Sequence, residues 1–392
     1  MSSFVENPDA TAVYYKDTKR WLWLIGGMWT LGMPFLAALV YFLTDKALWT
    51  VFILPVHLFL LIPILDAVIG EDNDNPPEEW VEALSEDPFY RRVVYALIPV
   101  GYASFIAAMW FLVTQGLPLW ANLVILLGLG IQNGTMITLA HELGHKTGKT
   151  DRLMAKIALG AVGYGHFTVE HNLGHHKYVS TPKDCSSAKM GESVYHFATR
   201  DIPGALRGAW AIEMSRLRRR GLPIFSHHNE ILQSYAITLG VTLGLWAWLG
   251  AEVLPWIVIH HGLAWFALSL VNYIEHYGLA RQEIAPGRYE PTQPHHSWNT
   301  NHMLSNVLQI HLQRHSDHHT HPMRPYQALR SYAHLPRLPS GYPGCLALAA
   351  IPPLWGKVMD KKVMEWAQGD LKKVNIFEPA RPRLEKKWAS PA

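Results

Sequence analysis

Nine histidines fall in four short stretches of a 392-residue chain. "HELGHK" holds His141 and His145, "EHNLGHH" holds His171, His175 and His176, "NYIEHYG" holds His276, and "LQRHSDHHTHP" holds His315, His318 and His319. The first stretch alone is the H-E-x-x-H pattern of a zinc protease, because residues i and i+4 of a helix share a face and can share an ion. The other seven histidines decide against that reading. A catalytic zinc takes about three protein ligands and keeps one position open, whereas nine imidazoles suit two ions with about four or five ligands each. Imidazole binds Fe, Zn, Cu and Ni, so residue types give a paired, all-nitrogen metal site and leave the metal unnamed.

An acidic residue adjoins a histidine in every stretch: Glu142, Glu170, Glu275 and Asp317. Two ions held by neutral imidazoles call for negative charge nearby, so these carboxylates are expected to hydrogen-bond the far ring nitrogens. The plainer role for Glu142 is an i,i+4 pair with Lys146. His311, at helical spacing from His315, is the tenth candidate ligand. His57, His260 and His261 sit elsewhere in apolar runs, and His295, His296, His302 and His321 read as loop histidines.

Membrane helices must position these side chains. Charged residues make up only 17% of the chain, which also carries 16 tryptophans. Apolar runs at 21–43, 48–69, 93–114, 118–140, 231–250 and 253–275 are each long enough to cross a hydrocarbon core of roughly 30 Å. The expected fold is an all-α integral membrane protein with six spans. The short connections contain one basic residue, Lys46, and the other 33 of the 34 Lys and Arg lie on the opposite side. By the positive-inside rule that side is cytoplasmic, with both termini and the histidine-rich region. The net charge of +3 is then a topology signal and not a sign of nucleic-acid binding. Cys185 and Cys345 are expected to be free thiols. Residues 1–20 read as a polar arm, 21–276 as the membrane domain with a cytoplasmic insertion at about 143–230, 277–377 as a cap carrying the last histidine stretch, and 378–392 as a flexible tail. The apolar part of 151–167 is too short to cross and reads as interfacial or re-entrant.

The four stretches resemble the signature boxes of the membrane alkane 1-monooxygenases, the non-haem di-iron alkane hydroxylases of the wider fatty acid desaturase and hydroxylase superfamily. "NPPEE", "MGESVYHF", "PHHSWNTNH" and "GYPG" are similar too, and the resemblance runs from about Tyr14 to Asp370. It implies two iron ions on the nine histidines, in a protein of the bacterial inner membrane. The implied reaction uses O2 and two electrons from rubredoxin to convert medium-chain n-alkanes drawn from the lipid bilayer to 1-alkanols. Two cysteines cannot build rubredoxin's four-cysteine iron site, so this chain contains no such module. The basic cluster Arg216, Arg218, Arg219 and Arg220 is a candidate dock for the carrier. An acyl-chain desaturase or hydroxylase, or an aryl-methyl monooxygenase, would share the bare histidine spacings, and the zinc protease is the remote alternative.

Helix spacing also suggests a path for the alkane. Ile137, Gly134 and Gly130 lie below His141, Thr138 below His145, and Asn272, Ser269 and Trp265 below His276. Asn272 is close enough to support the centre as well. Leu58, Phe59 and Leu61 are candidates for limiting chain length. The competing reading of the Gly and Ser positions is close helix packing.

Overall fold

The computed structural model describes residues 3–6 and 13–388. Among the described residues, six helices are long and apolar enough to cross a membrane: Leu22–Leu43, Leu48–Ile69, Pro88–Thr114, Leu119–Gly144, Glu230–Leu249 and Val253–His276. In lipid a helix satisfies its own backbone groups, which is why each apolar run becomes one. The third span starts five residues before the apolar run at 93, across Arg91 and Arg92. Asp87 accepts from the Phe89 N–H at 2.8 Å, and Pro88 occupies the first turn, where its missing N–H matters least. The fourth span runs past 140, so "HELG" forms its last turn.

The fourth span is the centre of the bundle. Within its most apolar window 72% of residues are buried, against 17% for the fifth span and 28% for the first and second. Leu39, Leu43, Val68, Leu239, Trp248 and Val258 stay exposed on the outer spans, as side chains facing lipid would.

The loop-rich side carries the remaining helices. The stretch expected to be interfacial is the helix Lys149–Gly160, tied to the start of the fifth span by Lys156 Nζ donating to Gln233 Oε1 at 2.6 Å. A 26-residue helix, Val194–Arg219, lies against the sixth span and the His171 region; its polar sequence gave little warning of its length. Ser3–Glu6 pairs antiparallel with Val13–Lys16, and Glu283–Ala285 with Arg288–Tyr289.

The region after 277 shares a core with the sixth span. Tyr273 and Tyr277 pack among Trp355, Met359 and Val363, and the Tyr277 hydroxyl donates to Asp360 Oδ1 at 2.8 Å. Arg314, 1% exposed, donates to the carbonyls of Leu329 (2.8 Å), Asp72 (3.0 Å) and Asp74 (2.9 Å). A buried guanidinium donating through Nη1 and Nη2 to three carbonyls fastens the last histidine stretch to the loop after the second span. The flexible tail expected from 378 needs correction: Arg381–Trp388 is a helix, because buried Ala380 and Leu384 seat this segment beside Gly191. Residues 389–392 lie outside the described residues. Both cysteines are free.

Candidate metal centre

All nine histidines converge on the loop-rich side of the bundle. His141 is in the last turn of the fourth span and His145 follows it. His276 ends the sixth span. His315, His318 and His319 stand on the helix His315–Thr320. His171, His175 and His176 share a helical segment that widens into a π-turn at His171–His175, where the His176 N–H bonds the His171 carbonyl. A π-turn aligns residues five apart instead of four, and such turns mark functional sites.

That widening sorts the ligand candidates. His171 and His176 face His141, His145 and His318, whereas His175 faces His276, His315 and His319. Within each group, one nitrogen from each ring lies within 4.8 Å of every other. His176 Nε2 is 3.0 Å from both His171 Nε2 and His318 Nε2. His315 Nε2 is 2.8 Å from His319 Nε2 and 3.3 Å from His276 Nε2. A neutral imidazole has one N–H and one acceptor nitrogen, so crowded Nε2 atoms cannot all bond one another. They can all bind an ion, because ligands at roughly 2.1 Å from one centre and at right angles lie roughly 3 Å apart.

Three further observations fit metal. Nε2 of His141, His145 and His175 is buried with no partner. Burial pushes His171, His176, His315, His318 and His319 well below the usual imidazole range, which keeps them in the neutral form that ligates. Two far nitrogens of the smaller group are also held: His276 Nδ1 donates to the His296 carbonyl at 3.2 Å, and His175 Nδ1 to Asp184 Oδ2 at 3.0 Å. Burial opposes a proton on His175, but Asp184 outweighs it and raises the ring to about 9. Asp184 is itself fixed by the Ser187 hydroxyl at 2.6 Å and the Ser186 N–H at 3.1 Å.

The carboxylates therefore differ from the expectation drawn from sequence neighbours. Glu142 pairs with Lys146 at 2.9 Å. Asp317 binds Arg324, Tyr332, His321 and the Arg330 N–H. Glu170 lies beside Asp184 and Cys185 and takes no bond from a histidine among the described residues. Adjacent residues of a helix point to different faces, so a carboxylate next to a ligand in sequence looks away from it. Glu275 faces the centre, with Oε2 3.2 Å from His315 Nε2 and Oε1 accepting from the Tyr342 hydroxyl at 2.7 Å. Asp184, which carries the role expected of the others, has no histidine beside it in sequence, and a Ser-rich turn was its only signal. His311 is not a tenth member: its Nδ1 donates to the Tyr326 carbonyl at 2.9 Å and its ring packs on Trp23.

An apolar cavity opens from the histidines into the bundle. Gly134, Ile137, Thr138, Asn272 and Leu58 line it, next to His141, His171 and His315. Other expected lining residues are elsewhere. Gly130 packs against Leu263 and the His260 backbone, which is the close-packing role. The Trp265 indole donates to the Val162 carbonyl at 3.1 Å, Ser269 is buried outside the cavity, Phe59 packs toward the cap core, and Leu61 is 41% exposed on the outer surface. Walls from distant segments, Leu308, Leu312, Pro343 and Leu346, had no signal at helical spacing.

A family model described as fatty acid desaturase matches residues 118–348, a range holding all nine histidines. Alkane 1-monooxygenase of Pseudomonas putida is 45% identical over 381 residues, covering 96% of this chain and 94% of that protein. Alkane 1-monooxygenase 1 of Alcanivorax borkumensis is 43% identical over 380 residues, covering 97% and 94%.

The chain belongs to the alkane 1-monooxygenase family.

Alkane 1-monooxygenase chemistry does not need the protease base, and Glu142, occupied by Lys146, is not placed to act as one. In the basic cluster, Arg216 is tied to Glu213 at 2.6 Å and to the His228 carbonyl at 2.7 Å. Arg218, Arg219 and Arg220 are exposed, and Arg219 also donates to Ser215 at 2.6 Å. Asp184→Asn keeps shape but loses charge. It should weaken metal retention or turnover roughly 10–100-fold, while Glu142→Gln stays within about threefold of wild type, since an i,i+4 pair contributes only tenths of a kcal/mol. Metal analysis of both variants checks this, and equal losses would return Glu142 to the centre.

Proposed function

We propose that the nine histidines hold two iron ions and that the protein hydroxylates the terminal methyl of medium-chain n-alkanes, using O2 and electrons from reduced rubredoxin. The observation that carries this reading is an apolar cavity ending at two adjoining groups of histidines. An unactivated methyl offers nothing to a base or nucleophile, so iron held by the nine histidines would supply the oxidising chemistry with O2. The chain's own residues do the rest. Leu58, Ile137 and Leu308 enclose the hydrocarbon and exclude water. Thr138 and Asn272 flank the methyl end, and Asp184 and Glu275 offset the charge of the metals. One oxygen atom enters the substrate and the other leaves as water, consuming two electrons and two protons.

The loop-rich side, with the basic residues, faces the cytoplasm in this reading. The 21–276 membrane domain then sits in the lipid of the inner membrane, under the 277–377 cap. About two irons per chain, with 1-octanol formed from n-octane when rubredoxin and its reductase are supplied, is the expected result. Zinc in place of iron, or an unsaturated product, would sink the reading. Reversing Arg218 and Arg220 to Glu should raise the KM for the carrier roughly tenfold at low salt, a gap that closes at high salt. No change at either salt would place the dock elsewhere.

A further inference from the structure

Every residue lining the reaction cavity is buried or half-buried, yet the reading above brings its alkane from the surrounding lipid. A second apolar cavity, of about 210 Å3, stands in line with the first. Thr30, His57 and Gln132 line the reaction cavity, whereas Pro34, Leu54 and Leu129 line the second. On each of these three spans the two positions are three or four residues apart. The second cavity therefore continues the same helix faces one turn, roughly 5 Å, further from the histidines. Its rim faces lipid, because Phe35 is 41% exposed and Trp110 is 37% exposed. A polar bridge separates the two cavities. The Thr30 carbonyl would ordinarily accept from the N–H four residues on, but that residue is Pro34, which has none. Gln132 Nε2 donates to this carbonyl instead, and a side-chain hydrogen bond joins Gln132 to His57. The Trp29 indole donates to His57 Nε2 at 2.7 Å. The bridge thus ties the first, second and fourth spans together across the column. Two of those spans are irregular at this level, the first at Pro34 and the second at the π-turn His57–Leu61. Helices bend most readily at such places.

We propose that the second cavity is the port by which an n-alkane enters from the half of the bilayer away from the histidines, and that the Gln132 bridge is the gate between port and reaction cavity. The inference rests on the hydroxylation reading above. Continuity argues for this occupant: an apolar column leads from a lipid-facing rim to the histidines, with the bridge across it. A hydrocarbon has no hydrogen bond to offer the bridge. It passes when bending of the first or second span parts Gln132 from its partners, and the bonds re-form behind it. The alkane then reaches the site without crossing water or headgroups, and the closed bridge shuts the occupied cavity off from lipid.

Filling the port tests this. Ala38 and Ala107 line it on the first and third spans. In holoenzyme supplied with carrier and reductase, Ala38→Phe and Ala107→Phe are each expected to lower kcat/KM for n-octane at least tenfold. Protein equilibrated with n-octane before a single turnover should still make as much 1-octanol as wild type, because a narrowed port delays entry and not occupancy. The yield of that turnover against the delay after mixing gives the uptake rate. It should be at least tenfold slower in the filled variants and several-fold faster in Gln132→Leu, which removes the bridge. Unchanged kcat/KM in both filled variants would place entry elsewhere, and a lost preloaded yield would mean damage at the reaction site; either overturns the port. Uptake no faster in Gln132→Leu would overturn the gate. If wild type makes no alkanol, the hydroxylation reading falls instead, and a diazirine-bearing alkane photolysed in the bilayer decides the port. Label is expected on Pro34 and Trp110, and it should be suppressed by n-octane and by Ala107→Phe. Label confined to outward residues such as Leu239, which is 57% exposed, would overturn the port. So would a photoreactive phospholipid chain at Trp110 that n-octane does not displace, since the cavity would then hold lipid.

Discussion

Alanine at His319 is expected to leave the protein with about half its metal and alkane turnover reduced by more than 100-fold, beyond the loss of a ligand's hydrogen-bond partner. His319 belongs to the smaller group, whose other members are His175, His276 and His315. Its Nε2 is 2.8 Å from that of His315 one turn earlier, so no neighbour can take its place. The group of five keeps every donor. His171→Ala makes the complementary case: it leaves His141, His145, His176 and His318, and should retain more metal while losing comparable activity. Metal content by mass spectrometry, measured with turnover on the same preparations, checks both. Undiminished metal and activity in His319→Ala would remove the four-histidine group from the centre.

The second large effect is expected where no ligand nitrogen is touched. Asp317 is fully buried and accepts from Arg324 Nη1 at 2.9 and 3.0 Å, the Tyr332 hydroxyl at 2.9 Å, the Arg330 N–H at 2.9 Å and His321 Nδ1 at 2.8 Å. Neutralising it as Asp317→Asn strands an Arg324 side chain that is only 12% exposed. Breaking one side of a buried pair typically destabilises by about 3–5 kcal/mol. The same short helix carries His315, His318 and His319, so metal should be lost along with thermal stability. Unchanged melting and metal content would mean that the 3.6 Å contact with Glu78 is enough to hold Arg324.

The spans and the histidines were legible because each rests on a local signal. An apolar run near twenty residues long has few fates, and imidazoles in this number at membrane boundaries have few uses. The sorting into two groups was not legible, since it depends on the π-turn at His171–His175, and regular helical spacing would have put His171 with His175. Asp184 was missed because it meets His175 through a turn and not through helical register. Leu308 and Leu346 reach the cavity only after the chain has folded back on itself, while Gly130 and Trp265 were misplaced because a helix face names a direction but not the neighbour standing there.

Two pairs of consecutive residues straddle the groups: His175 with His176, and His318 with His319, each pair giving one ring to either side. Consecutive Cα atoms are fixed about 3.8 Å apart by covalent geometry. The two sites are therefore rungs on a shared pair of rails, and neither can drift from the other without breaking helical register on both segments. Soft protein motions that open a cavity or swing a loop leave their spacing alone, so the gauge of the centre is set by peptide bonds and not by packing.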